Sequence, residues 1–536
     1  MSGKFLGALL VLAALTDPVH GEAMKPMVEP FAETAQIVSG ESYRFPLSIA
    51  PGSYVIGHLD SGKIPVDLSL ISETGAPIRR LLDASTGNAG FQFVVPDGAA
   101  GMLARGQETG PVTLMIDRVL EQEALTGMPP APLLSPTMAT LSDHLAQGGT
   151  TGAFWQDRMR EGTPMIEPSG HEGHVIVTFL WRGAEKNVRL WGAPASDHVW
   201  MTRLGDSDVW FASFEVPDSL RLTYGIAPDV PQFAGTAREN RVALLATLQA
   251  DPLNRYPIYP EASDIWAQRS ELSLPNAPDQ PGMTGVLPVA RGAISSFDFT
   301  SEALGNTRRV DVYTPAGFDP SDPETVLLVL FDGPAYQTPR APVPEILDRL
   351  IAAGELPPVV AVLIDPLDSE TRRRELPLNP TFLAAVSDEI LPHVSRDLGL
   401  PLSPARTVVA GSSYGGLASA WFVHERPEVF GNAIILSGSF WWAPEGDAGQ
   451  GAPYMSRLWM EDAPRDVRLW MSAGLYEAAR LPGEVSILET SRHLRDILTM
   501  AGVDLSYREY AGGHDYLIWR GALAEGLLNL FGTAPP

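Results

Sequence analysis

Val408-Val409-Ala410-Gly411-Ser412-Ser413-Tyr414-Gly415-Gly416-Leu417 is the stretch on which the reading of this chain turns. An apolar run enters Gly-x-Ser-x-Gly and an amphipathic segment leaves it, the pattern of a strand that reverses sharply into a helix. Such a turn lifts the Ser413 hydroxyl into solvent. Its crowding calls for residues without side chains two positions before and after the serine, Gly411 and Gly415. The same turn sets the N–H of Tyr414 where an oxyanion would form, at the start of a helix whose dipole favours negative charge. Ser412 is out of phase with the pattern. In a chain with 50 glycines the five-residue match also arises by chance, so a structural Gly-rich turn is the competing reading. The strand before and the helix after favour the nucleophile.

A nucleophilic serine needs a base, and in this arrangement the partners follow in the order serine, acid, histidine. Of 10 histidines, only His424, His493 and His514 come after Ser413. His424 falls in the helix that follows the turn and His493 in a later one, and both read as helix-surface positions. His514 sits in Ala511-Gly512-Gly513-His514-Asp515, after a strand-like stretch at 505–510 and before a final helix, and is the expected base. A turn histidine capping that last helix is the plainer alternative. Glu477 lies just beyond the strand-like 467–472, where the carboxylate that orients the imidazole is expected. Asp515 is a weaker candidate because it adjoins the histidine, and it looks better as a helix N-terminal residue; a Ser–His dyad without an acid remains the other option. The second oxyanion donor is expected from Leu328-Val329-Leu330-Phe331-Asp332-Gly333-Pro334-Ala335. Pro334 has no N–H, so the donor is Gly333 or Ala335.

Around these motifs, apolar strands at 309–313, 325–330, 359–364, 406–410, 433–436 and 467–472 alternate with helical patterns at 344–353, 380–398, 415–425 and 485–501. That alternation predicts an α/β-hydrolase catalytic domain over 285–536, a mostly parallel sheet with helices on both faces. Short alternating runs at 43–49, 53–58, 66–71, 90–95 and 112–119 predict a β-sandwich over 30–125, with no constellation that looks catalytic. A second β-sandwich is predicted over 135–270 from a helix at 138–147 and strands at 175–181, 188–191, 208–214 and 220–226. The recurrent Trp155, Trp181, Trp191, Trp200, Trp210 and Trp266 would supply much of its core. The segments 129–136 and 251–281, rich in proline, read as boundaries.

The chain has 536 residues, 45% hydrophobic and 19% charged, which excludes a disordered protein and requires more than one core. A net charge of −26 argues against nucleic acid and anionic lipid as partners. With no cysteine there is no thiol nucleophile, Cys-ligated metal or disulfide. Lys4 followed by an apolar run at 5–15 and a polar exit reads as a signal peptide over 1–23, too short to span a bilayer, with no membrane span expected after its cleavage. A buried N-terminal strand or helix is the structural alternative. Export of an acidic, cysteine-free chain suggests a periplasmic location.

With these residues in hand, the chain resembles the enterochelin (ferric enterobactin) esterase family. The similarity runs through 372–379 (RRRELPLN), 408–417 (VVAGSSYGGL), 436–442 (LSGSFWW), Ala473-Gly474 with Glu477, and 512–520 (GGHDYLIWR). In the middle block it includes Phe154-Trp155-Gln156, 179–183 (FLWRG), 201–210 (MTRLGDSDVW) and 251–254 (DPLN). Together these motifs cover roughly residues 150 to 535. The resemblance implies hydrolysis of ester bonds in a catecholate trilactone siderophore, with Ser413, Glu477 and His514 as the triad. Two departures stand out. The signal peptide and first sandwich are not part of the family's cytoplasmic members, and proline follows Asp332-Gly333.

A ferric tris-catecholate is a trianion with flat aromatic faces, so an acidic protein that binds it needs local guanidinium groups beside aromatic ones. Arg372, Arg373 and Arg374 follow a strand of the catalytic domain, Arg480 and Arg520 lie near the expected acid and base, and Trp441 and Trp442 follow another strand end. The structural alternative is an internal Arg374–Glu375 ion pair and tryptophans in the core. No cofactor is expected, since iron arrives only with the substrate and no metal is needed for the chemistry. The N-terminal sandwich is the expected surface for any further interaction. The rival functions are an esterase or acyltransferase acting on another secreted ester, and a non-catalytic siderophore-binding protein.

Overall fold

Alternation of apolar and polar residues builds the first of two compact units, which divide between Ala124 and Leu125. The structure is a computed structural model and describes residues 31–121, 133–195, 197–259, 262–447, 451–479 and 485–533. The expected signal peptide and Arg480 lie outside the described residues. In the first unit one antiparallel sheet takes the order β1 (Phe31–Ile37), β8 (Gly110–Leu120), β3 (Tyr54–Asp60), β6 (Asn88–Val94). The other takes the order β2 (Ser42–Pro46), β7 (Ala99–Gly106), β4 (Val66–Ser72), β5 (Pro77–Ser85). Alternate residues such as Val66, Leu68 and Leu70 on β4 and Val112, Leu114 and Ile116 on β8 share one core, the signature of a sandwich. Strand β5 carries no legible signal because only Leu82 along it is buried.

The second unit begins with α1 (Pro136–Ala146) and α2 (Gly152–Glu161). Helix α1 starts two residues before the expected position because the Ser135 side chain accepts from the N–H of Met138 and Pro136 suits the first turn. Seven strands follow, β9 (Met165–Pro168), β10 (His174–Arg182), β11 (Val188–Trp191), β12 (Val199–Arg203), β13 (Val209–Pro217), β14 (Arg221–Pro228) and, beyond the short α3 (Ala237–Ala243), β15 (Ser270–Ser273). They form the second sandwich, whose two layers are continuous through one strand. The start of β12 pairs with β11 and its end, Thr202 and Arg203, pairs with β13, so the strand turns the corner between layers. Phe179 of β10 meets Tyr224 of β14 edge-on across the core, ring centroids 4.8 Å apart. Of the tryptophans expected to fill this core, Trp155 and Trp210 are buried, while Trp181, Trp191, Trp200 and Trp266 are only half-buried.

The remainder is the α/β-hydrolase domain. Its eight-stranded sheet runs β16 (Ala293–Ser301), β17 (Asn306–Thr314), β19 (Val359–Ile364), β18 (Val326–Phe331), β20 (Thr407–Ser412), β21 (Asn432–Leu436), β22 (Arg468–Gly474), β23 (Asp504–Tyr510). The first two strands are antiparallel and the other six parallel. Strands β18 to β21 are buried at every position because helices cover both faces. One face packs against α6 (Pro380–Ala384), α7 (Leu391–Leu398), α8 (Tyr414–Glu425), α9 (Tyr454–Glu461) and α10 (Ile487–Ala501), and the other against α4 (Val343–Ala352) and α11 (Tyr516–Phe531). A π-helical turn, Ala385–Ile390, joins α6 to α7. The edge strand β16 is exposed along most of its length and so lacks the apolar run that marks its neighbours. Helix α5 (Ser369–Glu375), capped by Asp368, was hidden by its run of charged residues. Among the described residues no helix is long and apolar enough to cross a membrane.

Candidate active site

Strand β20 ends in the predicted reversal. Ser413 has φ 60° and ψ −118°, a conformation a side chain seldom adopts, and α8 starts at the next residue. The Ser413 N–H donates to the Leu436 carbonyl at 2.9 Å, tying the turn to β21. A Cβ on Gly411 would lie 2.7 Å from the backbone of Gly415, so this glycine is required as expected. The second requirement falls elsewhere. At Gly415 a Cβ would meet nothing nearer than 3.5 Å, whereas at Gly416 it would sit 3.0 Å from both the Leu436 carbonyl oxygen and Gly438 Cα.

The acid and base follow the last two strands of the sheet, β22 and β23. His514 lies between β23 and α11, and its Nδ1 is 2.5 Å from Oε1 of Glu477 in the turn after β22. The loops can approach because Gly474 has no side chain; a Cβ there would lie 2.5 Å from the Gly512 carbonyl oxygen. Oε2 of Glu477 accepts the Gly474 N–H at 2.6 Å, and the carboxylate side chain is only 2% exposed against 39% for the imidazole. With Nδ1–H donated to the carboxylate, Nε2 is the acceptor. Trp519 meets the imidazole edge-on at 4.7 Å. Asp515, the rival acid, has other work. It caps α11 through the Leu517 N–H and pairs with Arg340 at 2.5 Å. His424 pairs with Glu425 and His493 with Ser456.

The loop after β18 reverses through Asp332, at φ 58°. The Ala335 N–H donates to the Asp332 carbonyl at 2.9 Å, so this expected donor is consumed by its own turn. Gly333 and Tyr414 have backbone N–H groups without an intramolecular partner among the described residues, and they are the pair left to meet an oxyanion.

Two of the arginines expected to meet substrate, Arg372 and Arg520, are engaged by other residues of the protein. Arg372 grips Asp332 with two bonds of 2.7 Å, reaches the Ser412 carbonyl at 3.3 Å and lies over the Tyr414 ring at 5.7 Å. Burial alone would lower its pKa, but the bonds and charge of Asp332 outweigh this and raise it. Its guanidinium braces the turn at Asp332. Arg520 is likewise internal, donating to Gln280 at 2.8 Å and to the Arg340 carbonyl at 3.2 Å, and burial lowers its pKa. Arg374 contacts Thr371 at 3.3 Å and lies 3.9 Å from Glu375, while Arg373 is exposed. The two tryptophans part company. Trp442 packs on the hydrophobic core, and Trp441 is 45% exposed and leans on Tyr414, centroids 5.9 Å apart.

A cavity of about 580 Å³ opens beside His514. Trp441 and Tyr476 line it from the hydrolase domain, and Trp191, His198 and Arg241 from the sandwich. Burial pushes the Tyr476 phenol up to about 12. Arg241 pairs with Asp197 at 3.3 Å, and Arg269 lies over the Trp191 ring at 5.7 Å. The sandwich reaches the site because the Arg221 N–H donates to the Ala511 carbonyl at 2.9 Å, beside the histidine loop. The lining residues of the sandwich escaped the sequence reading. Their one signal, the density of tryptophan, was taken for core. Among the described residues no group of three or more His, Asp or Glu could hold a metal ion.

A serine at a strained strand-to-helix turn, with a Glu–His pair from later strands of a parallel sheet clothed by helices, defines a serine hydrolase of the α/β-hydrolase class. Known proteins sharpen this. The Esterase family model matches residues 301–530 and the model described as enterochelin esterase, N-terminal, matches 176–283, so neither reaches the first unit. The iron(III) enterobactin esterase of Dickeya dadantii is 33% identical over 409 residues, covering 70% of this chain and 91% of that protein. The iron(III) salmochelin esterase of Escherichia coli O6:H1 is 29% identical, covering 73% and 96%. Crystal structures of the enterobactin esterase of Shigella flexneri in the presence of enterobactin and of the ferric enterobactin esterase of Salmonella typhimurium superpose with TM-scores of 0.56 and 0.59. Both are 30% identical, and the matches cover 71% and 70% of this chain and 97% and 98% of theirs. The chain belongs to the enterochelin esterase family.

Proposed function

We propose that this protein is an exported, periplasmic serine esterase that hydrolyses the trilactone ester bonds of ferric enterobactin-like catecholate siderophores, helping to release iron. The observation that carries the chemistry is the Glu477–His514 bond of 2.5 Å, supplied by the same sheet whose strand β20 ends in the strained turn at Ser413. Ser413 Oγ attacks the ester carbonyl as its proton passes to Nε2 of His514, whose imidazolium Glu477 stabilises. The N–H groups of Tyr414 and Gly333 meet the oxyanion. Collapse expels the seryl alkoxide with the proton returned by His514, and a water deprotonated by the same imidazole hydrolyses the acyl-enzyme. No cofactor takes part, and the iron is cargo. Opening the ring removes the preorganisation of the three catechols and so weakens their hold on iron.

The substrate class is supported by the enterobactin and salmochelin esterases among its relatives and by the aromatic walls Trp191 and Trp441 of the cavity. Export is supported by the N-terminal pattern of Lys4 and the apolar run behind it. Mass spectrometry of ferric enterobactin incubated with the purified protein tests the reading. Linear dihydroxybenzoyl-serine products are expected from the unsubstituted chain and none from Ser413→Ala, which should still bind. Equal turnover by both would refute the mechanism, and an intact siderophore with cleavage of other aryl esters would refute the substrate.

A further inference from the structure

The loop that follows β21 touches the expected nucleophile and the tryptophan that packs on the expected base. Ser437 is held at φ 49°, its N–H donating to the Ser472 carbonyl at 2.8 Å and its Oγ accepting the Trp519 indole N–H at 2.9 Å. The ring of Trp519 stands edge-on to His514. Two residues on, Ser439 turns back to the elbow. Its N–H donates to the Ser413 carbonyl at 3.0 Å, and its Oγ lies 3.2 Å from Ser413 Oγ. Gly438 and Gly416 make this approach possible, since a Cβ on Gly416 would sit 3.0 Å from Gly438 Cα.

We propose that Ser439 is a positioning residue that orients the hydroxyl of Ser413. The inference rests on the reading of Ser413 as nucleophile. Ser439 is 1% exposed, and among the described residues Ser413 Oγ is the partner of its hydroxyl. A buried O–H seeks an acceptor. When Ser439 donates to Ser413 Oγ it occupies one lone pair there, which turns the Ser413 proton toward Nε2 of His514 and leaves the other lone pair for the ester carbonyl carbon. During attack the Oγ–C bond forms and the Ser413 proton moves to His514, while Ser439 keeps its own. Alanine would fill the same space and keep the backbone bond to Ser413, so a hydroxyl at this buried place has no packing role.

The test compares Ser439→Ala, Ser439→Thr and Ser439→Val with the unsubstituted full chain, by kcat and KM for ester cleavage and by the rate of labelling with a fluorophosphonate, a probe that needs only the nucleophile. Loss of one neutral hydrogen bond at the reacting oxygen should lower kcat and the labelling rate about tenfold in Ser439→Ala, with KM unchanged. Thr should restore both and Val should not. If Ser439→Ala fails to fold, the nearly isosteric Thr and Val pair decides. Labelling and kcat within twofold of the unsubstituted chain, a change confined to KM, or equal rates for Thr and Val would overturn the proposal. An unsubstituted chain that takes no label at Ser413 would overturn the nucleophile reading, and this one with it. A labelled chain matched by Ser439→Ala would overturn this one alone.

Discussion

Arg372→Met tests whether the oxyanion loop is held by an ion pair. Asp332 is 4% exposed, and the Arg372 guanidinium is its charge partner through two bonds of 2.7 Å. Methionine keeps much of the stem but leaves the carboxylate buried and unpaired. Removing one member of a buried pair costs about 3–5 kcal/mol. The arginine side chain is 24% exposed, so water can reach the gap and the lower end, about 3 kcal/mol, is expected. Activity should fall as well. Asp332 sets the turn that presents the Gly333 N–H, and loss of one oxyanion donor costs about 10²–10³ in kcat. Arg372→Lys keeps the charge but not the two-pronged geometry and should fall between the extremes. Arg372→Met with Asp332→Asn removes both charges and should recover most of the stability without the activity. Urea unfolding followed through the catalytic unit, with kcat for ester cleavage, gives both magnitudes. A Met variant that loses under about 0.5 kcal/mol and keeps kcat within twofold would show that the clamp does not hold the loop.

Three other outcomes are expected. Glu477→Gln should leave the fold intact and lower kcat by about 10³–10⁴, because the amide no longer fixes the tautomer of His514; a loss under tenfold would favour a Ser–His dyad. Trp191→Ala should raise KM about tenfold for an aromatic acyl ester and leave kcat alone, and an unchanged KM would remove the sandwich from the substrate site. Asp208 opposes its own burial with bonds from Thr151, Arg182 and Trp155, and the bonds win, so its pKa is lowered from 3.8. Between that folded value and 3.8 the unfolded chain binds more protons, so the stability Asp208 confers is present above 3.8 and lost as pH falls through the folded value. Asp208→Asn should therefore flatten the acid side of a stability–pH curve, and an unaltered slope would refute the assignment.

The nucleophile turn, the apolar strands that carry it and the candidate base were legible in the chain because each is encoded by neighbours. A buried parallel strand needs a continuous apolar run, a sharp reversal needs Gly411, and His514 follows a late strand in a loop marked by two glycines. Where the local signal was weak the elements were invisible, as with the exposed strand β16 and the charged helix α5. Tertiary structure alone decided which side chains meet. Arg372, read as a ligand for an anion, is clamped to Asp332, 40 positions upstream. Ala335 lost its place as a donor to a carbonyl in its own turn, and Gly416 rather than Gly415 proved to be the tight glycine. The cavity wall came from a separate sandwich whose tryptophans looked like core. A sequence records what each residue prefers among its neighbours along the chain. Partners brought together by packing of distant segments depend on distances that no local pattern contains.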